Sequence, residues 1–527
     1  MTGKRQHLIA LGLSSIPLVR FGFDAKLGLD HLLHDFLVDD AFYYFVIARH
    51  VPYFNEGIAT SGFHPLYALL VAPLHQLLDP EMAIYGSLLL LVIAYCLGAL
   101  VLYHLLDRLW RQPIPALCVA LWVTSPMLYK LTMTGTETIL AVLMVLLFYL
   151  QLVAVREKMP ASVKPLELFI PGVTAGLAFW ARMDSVLFLG PGLLWVIYKL
   201  IRHRSWRGLS AFVLPALGIS GAWLGYITWM TGEPFPTSGT ALRILRGVED
   251  QLIVPLQMIK GETRLIVSYL PNFVVTGRGA TFDVALILTV VILAGIGAHR
   301  LKGSHLAREM RGSVWFGGLV IAGTALWASY YVLHQGMFRL WYMTYFAVMI
   351  FSVVAPLVWT GLHAIGGRLA GFSSSRWLWS VALLVVGAGM VLSEPFWSAP
   401  QEYDKYHAAL AANRLLDDIP ADARIGSFNT GIFNFVMSRD VINLDGVVNP
   451  EVHEHLRNET LSSYMARRNI RYLIDHDRAV SMGRALREPG ITIEKLHDLT
   501  LYYEPYHDEH VRKTFLWTVR FNTQNQK

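Results

Sequence analysis

The run AIYGSLLLLVIAYCLGALVLYHLL, residues 83–106, contains no charged side chain. A helix that crosses a hydrocarbon layer about 30 Å thick needs about 20 mostly apolar residues, so this run reads as a membrane span. The composition extends that reading to the whole chain. Its 527 residues are 54% hydrophobic and 16% charged, and the mean hydropathy is +0.44. These values exclude an ordinary soluble globule and describe a polytopic α-helical membrane protein.

Ten further runs qualify: 8–23, 113–130, 138–155, 169–181, 185–201, 209–230, 281–298, 314–333, 342–363 and 377–393. The stretch 66–78 is shorter and contains Pro73 and His75, so it reads as an interfacial or re-entrant helix. Loop charge tests that choice. With eleven spans and a cytoplasmic N-terminus, the basic loops fall on one side, as the positive-inside rule requires. Those loops hold Arg108 and Arg111, then Arg156, Lys158 and Lys164, then Arg202, Arg204 and Arg207, then Arg300, Lys302, Arg308 and Arg311. Counting 66–78 as a span would turn every later basic loop outward. The net charge of +6 is therefore read as topology, and no nucleic-acid partner is inferred from it.

Lys4 and Arg5 precede the first run without an A-x-A-like site after it, which fits a retained signal anchor. Cys96 and Cys118 both lie in apolar runs, so no disulfide framework is expected. The expected organisation is a transmembrane domain over 1–393, with outer loops 24–82 and 231–280, followed by an extracytoplasmic domain over 394–527. β-rich runs at 423–428, 441–444, 470–474 and 515–521, with a helical pattern near 461–468, make that second part a small α/β domain. No internal repeat is visible.

Chemistry is sought where charge meets the outer boundary. Asp39 and Asp40 stand in tandem before Phe42, Tyr43, Tyr44 and Phe45, aromatics expected of a helix in the headgroup layer. A carboxylate there can take a proton from a hydroxyl or hold a divalent cation against phosphate, although starting a helix at 41–50 is an ordinary role too. Glu137, in Thr-Met-Thr-Gly-Thr-Glu-Thr, sits at the outward end of a span and reads equally as a site acid or part of a cap. Arg182 and Asp184 form a turn in which the guanidinium either clamps a phosphate or merely pairs with Asp184. The Gly/Pro/Ser-rich segment 232–243, with Ser238 and Arg243, offers a weak phosphate-loop pattern. A lone His64 is more often structural, and His453 with His455 lacks a third metal ligand of suitable spacing. No Walker loop, dinucleotide fingerprint or nucleophile elbow occurs, which weighs against a nucleotide cofactor.

In this order the motifs resemble those of the GT-C superfamily of membrane glycosyltransferases, among them protein O-mannosyltransferases and the lipid A aminoarabinose transferase. A bacterial branch is similar at 39–45, 62–67, 135–138, 181–184, 236–239 and 443–446. The resemblance implies an integral protein of the bacterial inner membrane. It implies a sugar passed from a polyprenyl-phosphate carrier to a hydroxyl of an envelope glycan, lipid or protein on the outer face. Asp39 or Asp40 would be the base and Glu137 the second acid. Arg182, with Arg243 or Arg339, would neutralise the departing phosphate, and Tyr43, His64, Asp184 and Ser238 would line the donor site. A divalent metal is left undecided, with Asp40 and Glu137 as ligands if one binds. Asp445 could line the cleft from the C-terminal domain but reads more simply as a turn residue. The competing reading is a transporter or flippase of lipid-linked sugars. It is disfavoured because the acids cluster at a boundary rather than at the midplane and no repeat is present.

Overall fold

The computed structural model describes residues 3–55, 57–110, 113–159, 163–248, 250–273, 289–296, 299, 311–369, 400–476, 491–502 and 513–521. Among these, seven helices are long and apolar enough to cross a membrane. They are His7–Lys26, Pro80–Leu109, Thr138–Lys158, Ser185–Arg202, Trp206–Thr231, Gly312–Gln335 and Leu340–Leu362. A bent pair, Ile114–Thr124 and Pro126–Met133, is apolar enough to count as an eighth crossing if its two halves make one span, and Pro165–Ala181 is a shorter apolar helix. The chain is thus an integral membrane protein built on a helical bundle. The count of eleven is not reproduced: the expected span 281–298 lies largely, and 377–393 wholly, outside the described residues.

Local rules set the helix ends. Asp79 accepts from Met82 N at 3.0 Å while Pro80 occupies the first helical position, where a missing N–H costs nothing. Between the two halves of the bent pair, Pro126 cannot continue the ladder and the axis turns by 53°. Ser125 Oγ then caps the second half through Leu128 N at 3.3 Å, and the Tyr95 hydroxyl donates to the Trp122 carbonyl. A broken helix at membrane depth survives only when its freed backbone groups are taken up in this way. Pro65–Leu77 has 13 residues, about 20 Å of helix, too short to span. Cys96 and Cys118 are free and buried.

The C-terminal part folds as the α/β domain expected. Its strands are β1 (Arg424–Ser427), β2 (Val441–Asn443), β3 (Ile470–His476), β4 (Ile491–Asp498) and β5 (Thr514–Phe521). They form one sheet in the order β2-β1-β3-β5-β4, parallel across β2, β1 and β3 and antiparallel at β5 and β4. Strand β4 is absent from the sequence reading.

This domain sits directly on the helix Asp39–His50. Ile432, Phe435 and Val448 belong to the same apolar core as the membrane helices. Phe42 and Phe45 pack against Phe435 with ring centroids 5.3 and 5.9 Å apart. The aromatics of 42–45 are therefore buried between bundle and domain, not laid in a headgroup layer as their sequence suggested. Their apolar area is removed from water by protein, which leaves none to offer lipid.

Candidate active site

The helix Asp39–His50 begins with two acids and ends with Arg49 and His50, the charge order its macrodipole favours. Val38 precedes it in extended conformation, and its N–H donates to Thr134 O at 3.2 Å. That bond joins the first-loop helix to the turn carrying Glu137. Gly135 makes the junction possible. Its φ is +79°, and a Cβ there would lie 2.7 Å from the Ala41 methyl.

Asp39 and Asp40 have different surroundings. Asp39 is 7% exposed, its Oδ1 accepts from Ile432 N at 3.0 Å, and its Oδ2 lies 3.8 Å from Lys405 Nζ. Asp40 is half-buried and makes no hydrogen bond to a described residue. Loss of water pushes its carboxyl up to about 6; Asp39 and Glu137 add to that, while Arg339 and Lys405 oppose it, Arg339 most strongly. Arg339 is half-buried and ion-paired to no carboxylate among the described residues; its guanidinium lies 5.7 Å from the Trp341 ring centroid. The neighbouring acids are thus one saturated and one available.

Glu137 and Arg182 come together, but as partners of each other. Arg182 Nη1 donates to Glu137 Oε1 at 2.6 Å, Nε to Asp184 Oδ1 at 2.9 Å, and Nη2 to Asp184 Oδ2 at 3.1 Å and the Tyr331 hydroxyl at 3.0 Å. The guanidinium also stacks over Tyr342 at 4.5 Å and is 4% exposed. Asp184 further accepts from Trp327 Nε1 and the Tyr331 hydroxyl. The local Arg182–Asp184 pair is therefore present, with Glu137 completing it. Neither Thr134 nor Thr136 caps the following helix; their hydroxyls lie 3.0 Å apart.

His64 Nε2 stands 3.8 Å from Glu137 Oε1, and its Nδ1 is buried without a partner. Burial lowers the imidazole pKa and Arg182 adds to that against Glu137, so the ring is held neutral. The Tyr43 hydroxyl accepts from Thr430 N at 3.1 Å, which makes it a contact to the C-terminal domain. Ser238 lies in the first turn of the helix Thr237–Leu245, whose Thr237 N bonds Ser61 Oγ. Arg243 is committed elsewhere: its guanidinium donates to the carbonyls of Val248, Gln251 and His334, which ties the outer loop to the last bundle turn.

The sequence reading passed over Lys405 and favoured a turn for Asp445. Asp445 is in a turn, accepting from Val447 N at 2.8 Å, and also faces the acidic pair. Burial, with the charges of Asp39 and Asp40, pushes its carboxyl up to about 7 against its hydrogen bonds to Val447 and Asn443. Lys405 sits in a polar helix, Pro400–Asn413, with no local motif to mark it. At the other end of Asp39–His50 a cavity of about 390 Å³ is lined by Arg49, His50, Asn55 and Asp440, and none of the expected site residues lines it.

Among the described residues no three His, Cys, Asp or Glu side chains converge to hold a metal. Arg182 engages Glu137 Oε1, and no step below is routed through a metal.

Residues 398–521 match a family model described as a domain of unknown function, DUF8728. By sequence, no curated protein matches the chain. Among solved structures, ArnT from Cupriavidus metallidurans bound to undecaprenyl phosphate superposes with a TM-score of 0.56 at 10% identity, covering 96% of this chain and 97% of that one. The Archaeoglobus fulgidus oligosaccharyltransferase with Zn and sulfate gives 0.49 at 12% identity, over 89% of this chain and 68% of that one. The oligosaccharyltransferase AglB from Archaeoglobus fulgidus, with an inhibitory peptide and a dolichol-phosphate, gives 0.47 at 12% identity, over 90% of this chain and 69% of that one. The first shows that the chain has the overall fold of that ArnT.

Arg182→Ala would leave Glu137 and Asp184 as unpaired buried charges, a loss of about 3–5 kcal/mol. Thermal unfolding in detergent should show a large drop in Tm, which Arg182→Lys, lacking the fork, recovers only in part. Gly135→Ala should cost about 1–3 kcal/mol by the same measurement, from backbone strain and the Ala41 clash.

Proposed function

We propose that the protein is an inverting glycosyltransferase that moves a sugar from a polyprenyl-phosphate carrier to a hydroxyl acceptor on the outer face of the bacterial inner membrane. The carrying observation is Asp40: a carboxylate that, among the described residues, has no side-chain hydrogen bond, sits in the field of an Arg339 ion-paired to no described carboxylate, and heads a buried helix. The fold shared with a protein bound to undecaprenyl phosphate supports the carrier class.

In this reading Asp40 accepts the proton of the acceptor hydroxyl as its oxygen attacks the anomeric carbon. The bond from that carbon to the phosphate oxygen breaks, and the lipid phosphate leaves with the electron pair. Arg339 offsets the charge that develops there, in a site partly withdrawn from water where such stabilisation is large. A single displacement inverts the anomeric centre. Arg182, Glu137 and Asp184 hold the surrounding turns, and His64 and Ser238 are assigned to the donor side of the site.

The test is transfer by the purified protein in nanodiscs, supplied with a pool of polyprenyl-phospho-sugars and envelope acceptors. Asp40→Asn should lower the rate by about 10²- to 10⁴-fold. The base works only when ionised, so the wild-type rate should hold above pH 6 and fall tenfold per unit below it. Equal rates for wild type and Asp40→Asn would end the assignment. Movement of lipid-linked sugar across liposomes with no glycoside formed would replace the enzyme by a transporter.

A further inference from the structure

The C-terminal domain meets the first-loop helix through polar contacts that are buried and mutually dependent. Asp39, with its oxygens on Ile432 N and Lys405, has left water almost completely, and a carboxylate does so only with partners in place. Lys405 is itself 6% exposed and lies 3.2 Å from Glu402. Beside them the Tyr43 hydroxyl takes Thr430 N, and Arg49 Nη1 donates to Phe435 O at 3.1 Å with its guanidinium 4.0 Å from the Phe435 ring centroid. The approach is so close that a Cβ on Gly431 would fall 2.5 Å from the Asp39 carbonyl oxygen.

We infer that the C-terminal domain is a working part of the active site: through Lys405 and the backbone of 430–432 it holds Asp39 as a charged positioning residue, and Asp39 fixes the orientation and charge environment of Asp40. This rests on the reading of Asp40 as the base.

The two acids are adjacent at one helix start, and an ionised Asp39 alone would oppose ionisation of Asp40. Lys405 compensates that charge. The charged groups facing Asp40 are Asp39 on its own helix, Glu137 on the adjoining turn, Arg339 from the last bundle turn, and Lys405 and Glu402 from Pro400–Asn413. Asp445 faces it from the turn after β2. Of these, Asp39 and Lys405 form a pair whose members act on Asp40 with opposite sign.

That opposition supplies the test. In full-length protein in nanodiscs, the acid limb of the kcat–pH profile is measured for wild type, Lys405→Met, Lys405→Arg and Asp39→Asn. Lys405→Met leaves Asp39 uncompensated, so the limb should rise by roughly 0.5–1 pH unit. Asp39→Asn keeps an oxygen for Ile432 N but removes the charge, so the limb should fall by a similar amount, and Lys405→Arg should restore the wild-type position. A merely structural contact would lower stability without moving the limb in opposite directions. Unmoved limbs, or shifts of one sign, would overturn the inference while the wild-type limb near pH 6 left the base assignment standing. Hydrogen–deuterium exchange of 39–50 is read in parallel and needs no turnover. Lys405→Met and Gly431→Ala should speed exchange at least several-fold, and unchanged exchange would refute the brace even if the transferase reading itself failed.

Discussion

Arg182 is the point from which the upper end of the bundle is organised. Its guanidinium gathers the turn after Pro126–Met133 through Glu137, its own turn through Asp184, and the helix Gly312–Gln335 through Tyr331. Each partner stands at the end of an apolar helix, where water is scarce and a charge without a counter-charge is expensive. Three helix ends are thereby fixed relative to one another by one side chain. Apolar surfaces alone would let these helices slide, because lipid contact is nearly as favourable as helix contact.

The same rule separates scaffold from chemistry in this region. Glu137, Asp184 and Asp39 each lean on a basic side chain, Arg182 for the first two and Lys405 for the third. Arg182 and Arg243 are themselves engaged, one by acids and one by carbonyls. What stays available is the half-buried Asp40 with Arg339 set against it. Among the described residues, that leaves one acid and one base near each other without an ion-pair partner.

Much of this was legible in the sequence, and the limits have physical causes. Apolar runs near 20 residues long announce spans because the bilayer sets that length. Acids and arginines at span ends stood out in the sequence because charge there is costly to keep, and several of them, Glu137, Arg182 and Asp184, meet in the fold. Whether each charge is free or spent was not legible, because that depends on partners far along the chain. Arg182 looked like a phosphate clamp until Glu137, 45 positions away, was seen to occupy it. Lys405 carries no local signal at all. Strand β4, Ile491–Asp498, escaped because a register shift between Lys495 and His497 breaks its alternation and its edge position makes it polar.

The bond from Ile432 to Asp39 also spans 393 positions of chain. At 5–20 residues per second of synthesis, the first-loop helix waits roughly 20–80 s for the segment that receives its carboxylate. Through that interval the bundle can insert and its helix ends can pair through Arg182, while Phe42, Phe45 and Asp39 lack their cover. Maturation of the protein is therefore ordered in time. The membrane part can assemble first, while the cover over Asp39, Phe42 and Phe45 is completed only once the last quarter of the polypeptide has emerged and folded back onto the first tenth.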